Sequence, residues 1–132
     1  MFDASNRQTC RVRATATSTP LHALTTLNDP TWVEAAAVLA RNSMKASQDL
    51  DVRLTHAFRR VICRKPTDPD LKILRGAYEK QAAIFRANLE SARAFASVGT
   101  AGRDEALDIT EHAALSAVCL AILNLDEALT RE

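Results

Sequence analysis

Three glycines and four prolines are all that punctuate 132 residues. So few turn formers exclude a fold of many short strands and tight turns, and abundant Ala and Leu favour helices. Aromatic residues are equally scarce, with one Trp, one Tyr and four Phe, which leaves few platforms for stacking unpaired bases. The three cysteines, Cys10, Cys63 and Cys119, lie far apart and form no Cys-x-x-Cys pair. That spacing excludes a disulfide scaffold, a paired-thiol zinc site and a Cys-x-x-Cys-His haem attachment. Cys63 and Cys119 read as small buried hydrophobes, and Cys10, in a polar segment, as exposed.

Charge of one sign is lacking as well. Seventeen Lys and Arg against sixteen Asp and Glu leave a net charge of +1, with no global steering toward nucleic acid or anionic lipid. No apolar run opens the chain as a signal peptide would. The longest run, Ala113 to Leu123 broken only by Ser116, is too short to span a bilayer. What is present, 47% hydrophobic and 25% charged residues, is the balance of a soluble globular domain. A chain of this length fits one domain and buries roughly two-thirds of its unfolded surface.

Residues 1–18 are polar, and the near-alternation Cys10-Arg11-Val12-Arg13-Ala14-Thr15 suits an extended arm. Residues 19–132 read as a single helical domain. Thr19 caps a first helix with Pro20 at its first position, and Asp29 caps a second with Pro30 in the same place. Leu21, Leu24 and Leu27 are the expected core stripe of the first helix; Trp32, Ala35, Ala36 and Leu39 are that of the second. A third helix covers about 50–64, with Leu54, Phe58 and Val61 inward. Thr67 and Asp70 form the start signal of a fourth, which is expected to reach Ser97 and repeats Tyr78, Phe85 and Ala92 at seven-residue spacing. Gly99 and Gly102 mark a loop. The last helix, about 110–123, is apolar all round from Ala113 and belongs at the centre of a bundle. Asn28 and Asn124 are both expected to end helices in left-handed geometry. The fold class is all-α, a bundle of about five helices with an extended N-terminal arm.

Candidate chemistry is sparse. His22 beside Asn28 and Asp29 at the first corner is the one place where a proton could be shuttled, yet His22 and Asp29 are about two helical turns apart. Glu111-His112 lacks the second histidine of a helical zinc motif, Ser116 standing there instead. His56 is surrounded by Arg53, Arg59 and Arg60, a cationic setting that disfavours metal. Neither metal nor cofactor is expected. Arg59, Arg60, Arg64 and Lys65 make a basic helix end, favoured by the helix dipole and the only candidate for anion or nucleic-acid contact. No serine elbow, Walker loop or dinucleotide fingerprint occurs.

Three blocks of sequence carry a resemblance: FDASNRQTCRVRATATSTPLHALTTLNDP, FRRVICRKPTDPDL and LAILNLDEAL. In this order the chain resembles the C-terminal half of a domain of unknown function common in planctomycete bacteria. That domain lies at the end of large proteins that often carry a c-type cytochrome domain. The resemblance implies an exported, periplasmic, multidomain setting and supplies no reaction. The family usually has glutamine at the place of His22 and an aromatic residue at the place of Ala128, so His22 is not expected to be a family-wide catalytic group.

The leading expectation is a non-catalytic helical domain that works by packing or partner binding. Its partner is the upstream half of the parent domain or a second copy of the chain, with the arm a participant. An enzyme or enzyme fragment using the His22, Asn28 and Asp29 corner ranks second. A nucleic-acid binder acting through the basic helix end ranks third. No haem is expected on this chain.

Overall fold

In the computed structural model, residues 19–129 are described, and among them every regular element is a helix. In chain order these are α1 (Pro20–Asn28), α2 (Pro30–Ala46), α3 (Leu50–Ile62), α4 (Asp68–Ala87), α5 (Leu89–Ala96), α6 (Ile109–Leu123) and α7 (Asp126–Leu129). The fold is all-α, as the composition predicts. The arm expected at residues 1–18 lies outside the described residues.

Helix starts follow the local chemistry read from the chain. The Thr19 hydroxyl accepts from the His22 amide at 3.3 Å, and Asp29 Oδ1 accepts from the Thr31 amide at 2.7 Å. Thr67 and Asp70 close a full capping box, each side chain bonding the other's backbone amide. Asp49, Asn88 and Asp108 cap α3, α5 and α6 by accepting from first-turn amides. Each cap satisfies amides that the first helical turn leaves without a carbonyl.

The centre is α6. Ala113, Ala114, Leu115, Val118, Cys119, Leu120 and Ile122 are all buried, so a helix without a polar face is covered over most of its surface, with Ala121 alone of residues 113–123 exposed. It packs on α2, α4, α5, α3 and α7. Small residues make the closest approach: Ala36, Ala37 and Ala40 of α2 are buried, as are Ala113 and Ala114 facing Ala82, Ala92 and Ala96 in the α4–α5 cluster. Leu54 and Phe58 of α3 and Leu74 of α4 complete the main core.

Four details differ from expectation. The anticipated long fourth helix breaks at Asn88, whose Oδ1 accepts from the Ser91 amide at 3.0 Å and starts α5; an Asn side chain competes with the ladder in this way. Across the break, Phe85 and Ala92 still fall in one buried cluster, and Phe85 stacks on Phe95 at 5.7 Å. The buried stripe of α2 is Val33, Ala36, Ala37, Ala40, Ser43 and Met44, while Ala35 is exposed and Trp32 and Leu39 are half-buried. Neither Asn28 nor Asn124 is left-handed; among the described non-glycine residues only Cys63 has positive φ, at 65°, and it ends α3 at Ile62 rather than Arg64. The two asparagines do share a device. Asn28 Nδ2 donates to Leu24 O at 2.7 Å and Asn124 Nδ2 to Leu120 O at 2.9 Å, each bonding back to the carbonyl four residues earlier.

The fourth difference concerns α1. Its leucines point away from the core, with Leu21, Leu24 and Leu27 at 64%, 59% and 43% exposure. Thr26 is the residue turned inward, its hydroxyl meeting Asn124 Oδ1 and the His22 and Ala23 carbonyls.

The loop before α6 is fastened to one side of α2. Glu34 Oε1 accepts from the amides of Thr100 at 2.8 Å and Ala101 at 2.6 Å. Arg41 Nη1 donates to Gly102 O at 3.2 Å, and Lys45 pairs with Asp104 at 2.7 Å. These residues, spaced by seven and four, share one helix face. Gly99 has φ +92°, and a Cβ there would overlap the Glu34 carboxyl group. Gly99→Ala is therefore expected to lower the unfolding free energy by about 1 to 3 kcal/mol in denaturant titration, from backbone strain. A change within error would show that the loop does not depend on this conformation.

Candidate functional site

The first corner is occupied by structural work. Asn28 spends its amide on Leu24 O, and Asp29 spends its carboxylate on the Thr31 amide. His22 is half-buried on α1, and its backbone amide is bound by Thr19. The corner thus carries a cap at each of two helix ends, and Thr26 ties it to the end of α6 through Asn124.

The basic end of α3 divides in two. Arg64 leaves the group: Nε and Nη2 donate to the two Glu127 oxygens at 2.7 and 2.9 Å, and Nη1 donates to Asp70 Oδ2 at 3.0 Å. Its guanidinium also lies 4.9 Å over the Phe58 ring. These bonds raise the Arg64 pKa above its ordinary range, with Glu127 the larger cause. Asp70 is held below the usual carboxylate range by the Thr67 amide first and Arg64 second; Glu127 is held low by Arg64. Arg64 thereby staples the end of α3 to the starts of α4 and α7. Lys65 is exposed beside it and gives its carbonyl to Arg64 Nη1 at 3.2 Å.

Arg59 and Arg60 remain exposed. With Val52, Thr55, His56 and Cys63 they line an open groove of about 490 Å³ along the outer face of α3. The imidazole of His56 is anchored from behind. The hydroxyl of buried Ser43 lies 2.9 Å from Leu39 O and 2.9 Å from His56 Nδ1. With its single proton on Leu39 O it accepts from Nδ1–H, the ring tautomer that leaves Nε2 as the acceptor. Nothing in the sequence pattern links Ser43 to His56, since the two stand on different helices; only the fold brings them together.

The third notable histidine is at the heart of the packing. His112 is 2% exposed, and Nε2–H donates to Ala37 O of α2 at 2.9 Å. Its Nδ1 is buried without a hydrogen-bond partner, as is Nε of Arg103. Glu111, its neighbour in the unfinished zinc motif, turns instead to Arg53, at 3.1 Å. Burial and the nearby Arg103 and Arg41 cations hold the His112 pKa below its ordinary value, opposed by the Ala37 bond and Asp104. Cys119 is buried as expected and its thiol pushed far up by burial, so it is inert as a nucleophile; Cys63, expected to be buried as well, is exposed because it caps the end of α3. Among the described residues, no group of three or more His, Cys, Asp and Glu is placed to hold a metal ion. Among them too, no helix is long and apolar enough to cross a membrane.

Residues 1–78 match the family described as PSD1, protein of unknown function (DUF1553). No curated protein and no solved structure matches the chain.

His112 generates a pH dependence with a definite sign. Its folded-state pKa is depressed, so as the pH falls the unfolded chain takes up the proton first, near the ordinary value of about 6.5. Stability is complete above that value and declines as pH falls from about 6.5 toward the lower folded-state value. His112→Gln, whose amide can still donate to Ala37, is expected to flatten the decline below about pH 6.5. An equal decline in wild type and variant would remove His112 as its source.

Proposed function

The chain belongs to the PSD1 family of proteins of unknown function (DUF1553), which its first 78 residues match, and we propose that it is a non-catalytic helical interaction domain that docks through α1. The observation that carries this reading is the leucine ridge Leu21, Leu24 and Leu27, exposed on a helix whose one fully buried residue is Thr26. Contiguous apolar surface of this kind marks packing sites.

The occupant proposed for the isolated chain is a second copy. α1 contains no Asp, Glu, Lys or Arg, so two copies can face each other across a two-fold axis without like-charge repulsion. Each leucine taken from water would contribute about 1 kcal/mol or more. With only nine residues in α1, the contact falls short of a standard interface, and weak association is expected. In a longer parent protein the same ridge would receive the preceding half of the family domain. The resemblance noted above favours a planctomycete-type, exported, multidomain protein whose other parts include a c-type cytochrome. In that setting haem would sit on a neighbouring domain and not on this chain.

Two features speak for packing over chemistry. Asn28 and Asp29 are committed to helix ends at the first corner, and Arg64 is withdrawn from the basic cluster by Asp70 and Glu127.

Light scattering on a sizing column, over a wide range of protein concentration, tests the reading. The wild-type chain is expected to shift from monomer toward dimer as concentration rises, and Leu24→Lys is expected to abolish the shift while keeping its helical circular dichroism. A wild-type monomer at every concentration would contradict self-docking through α1.

A further inference from the structure

We propose that the outer face of α3 is a binding site for a phosphomonoester, gripped by Arg59 and Arg60 with His56 between them. On a helix, residues three and four apart are surface neighbours. His56 is three residues before Arg59 and four before Arg60, so the imidazole lies one turn behind the pair. Cys63 closes the figure one turn ahead, and all four line the same groove.

Three observations carry the assignment. Arg59 and Arg60 have no acidic partner among the described residues, whereas Arg53, Arg64 and Arg75 on neighbouring surfaces each have one. Two unpaired guanidiniums lining one groove invite an oxyanion that both can bind in forked geometry. The partial charge at the α3 C-terminus, about −0.5 of an elementary charge, opposes an anion, but two full positive charges outweigh it.

The second observation is the anchored ring. Because Ser43 accepts from Nδ1–H, neutral His56 presents a bare acceptor at Nε2. Nε2 is not among the buried polar atoms without partners, so it meets solvent on the groove side. A site that pairs two cations with a fixed acceptor suits an anion that carries its own proton. A phosphomonoester is such an anion in its monoanion form: its second ionisation is near 6, so at about pH 6 one P–O–H donates to Nε2 while the other oxygens accept from the arginines. The third observation is the neighbouring Thr55 hydroxyl on the groove wall, a further donor for a phosphate oxygen. A phosphodiester has a single negative charge and no such proton, so the arrangement favours a small monoester over a nucleic-acid backbone.

Calorimetric or NMR titration of the full chain with glycerol phosphate, against dimethyl phosphate at matched ionic strength, is the test. Glycerol phosphate is expected to bind measurably tighter than the diester. Arg59→Gln together with Arg60→Gln should weaken it by about tenfold or more, as two charge-assisted bonds are lost, with the melting curve unchanged because both side chains are exposed. Peptide-resolved alkylation of Cys63 should slow when glycerol phosphate is present. Sedimentation with vesicles containing phosphatidic acid, compared with phosphatidylglycerol, separates a lipid headgroup from a free metabolite as the source of the monoester. Binding in either arm supports the site. Equal binding of monoester and diester, unchanged binding by the double variant, binding without protection of Cys63, or no binding in either arm would overturn it.

Discussion

A helix with no polar face must be covered on all sides, and α6 imposes that condition on the whole chain. Its own sequence offers no outward stripe for water, so α2, α3, α4 and α5 are arranged around it. Small residues line the covering helices: Ala36 and Ala40 of α2 pack in the cluster of Leu115, Val118 and Ile122, and Ala82, Ala92 and Ala96 in that of Ala113 and Ala114. The polar atoms that α6 carries inward are absorbed locally. Ser116 donates to His112 O at 2.7 Å, and His112 donates to Ala37 O at 2.9 Å, so the most buried imidazole also pins α6 to α2.

Once the centre is closed, function is confined to what the packing does not use. Two features remain outside it. One is α1, which turns Thr26 inward and leaves its leucines in water. The other is the outer face of α3, where Arg59 and Arg60 lie unpaired beside an anchored His56. Several other charged side chains hold loops and ends: Glu34, Arg41 and Lys45 fasten the loop from Gly99 to Asp104 onto α2, and Arg64 fastens α7. Apolar docking and anion binding are compatible, since they use different helices.

Much of the fold was legible in the sequence because it is written in local signals. Thr19, Asp29 and Thr67 are caps whose chemistry acts within three residues, and the apolar run of residues 113–123, broken only by Ser116, requires a central place. The break at Asn88 was less legible, because Phe85 and Ala92 continue the seven-residue pattern through it. The α1 leucines misled for a physical reason: periodicity reveals which residues share a face, and only the neighbours decide whether that face is covered. Likewise the four basic residues near the end of α3 look equivalent in sequence, but Glu127 lies 63 positions from Arg64. The Ser43–His56 and His112–Ala37 bonds, spanning 13 and 75 positions, belong to the same class of fact that only the fold supplies. His22, Asn28 and Asp29 were legible as a corner, and Asn28 and Asp29 are placed as its caps.

Native-state hydrogen exchange, resolved by residue, tests the central place of α6 most directly. The account predicts that amides of α6, and those of α2 facing it, exchange only when the whole protein unfolds, so that their protection equals the global stability. Amides of α1 and α7, at the margin of the packing, are predicted to exchange through smaller openings. Exchange from α6 as fast as from α1 would contradict the account, because the helix on which the others depend would then be opening by itself.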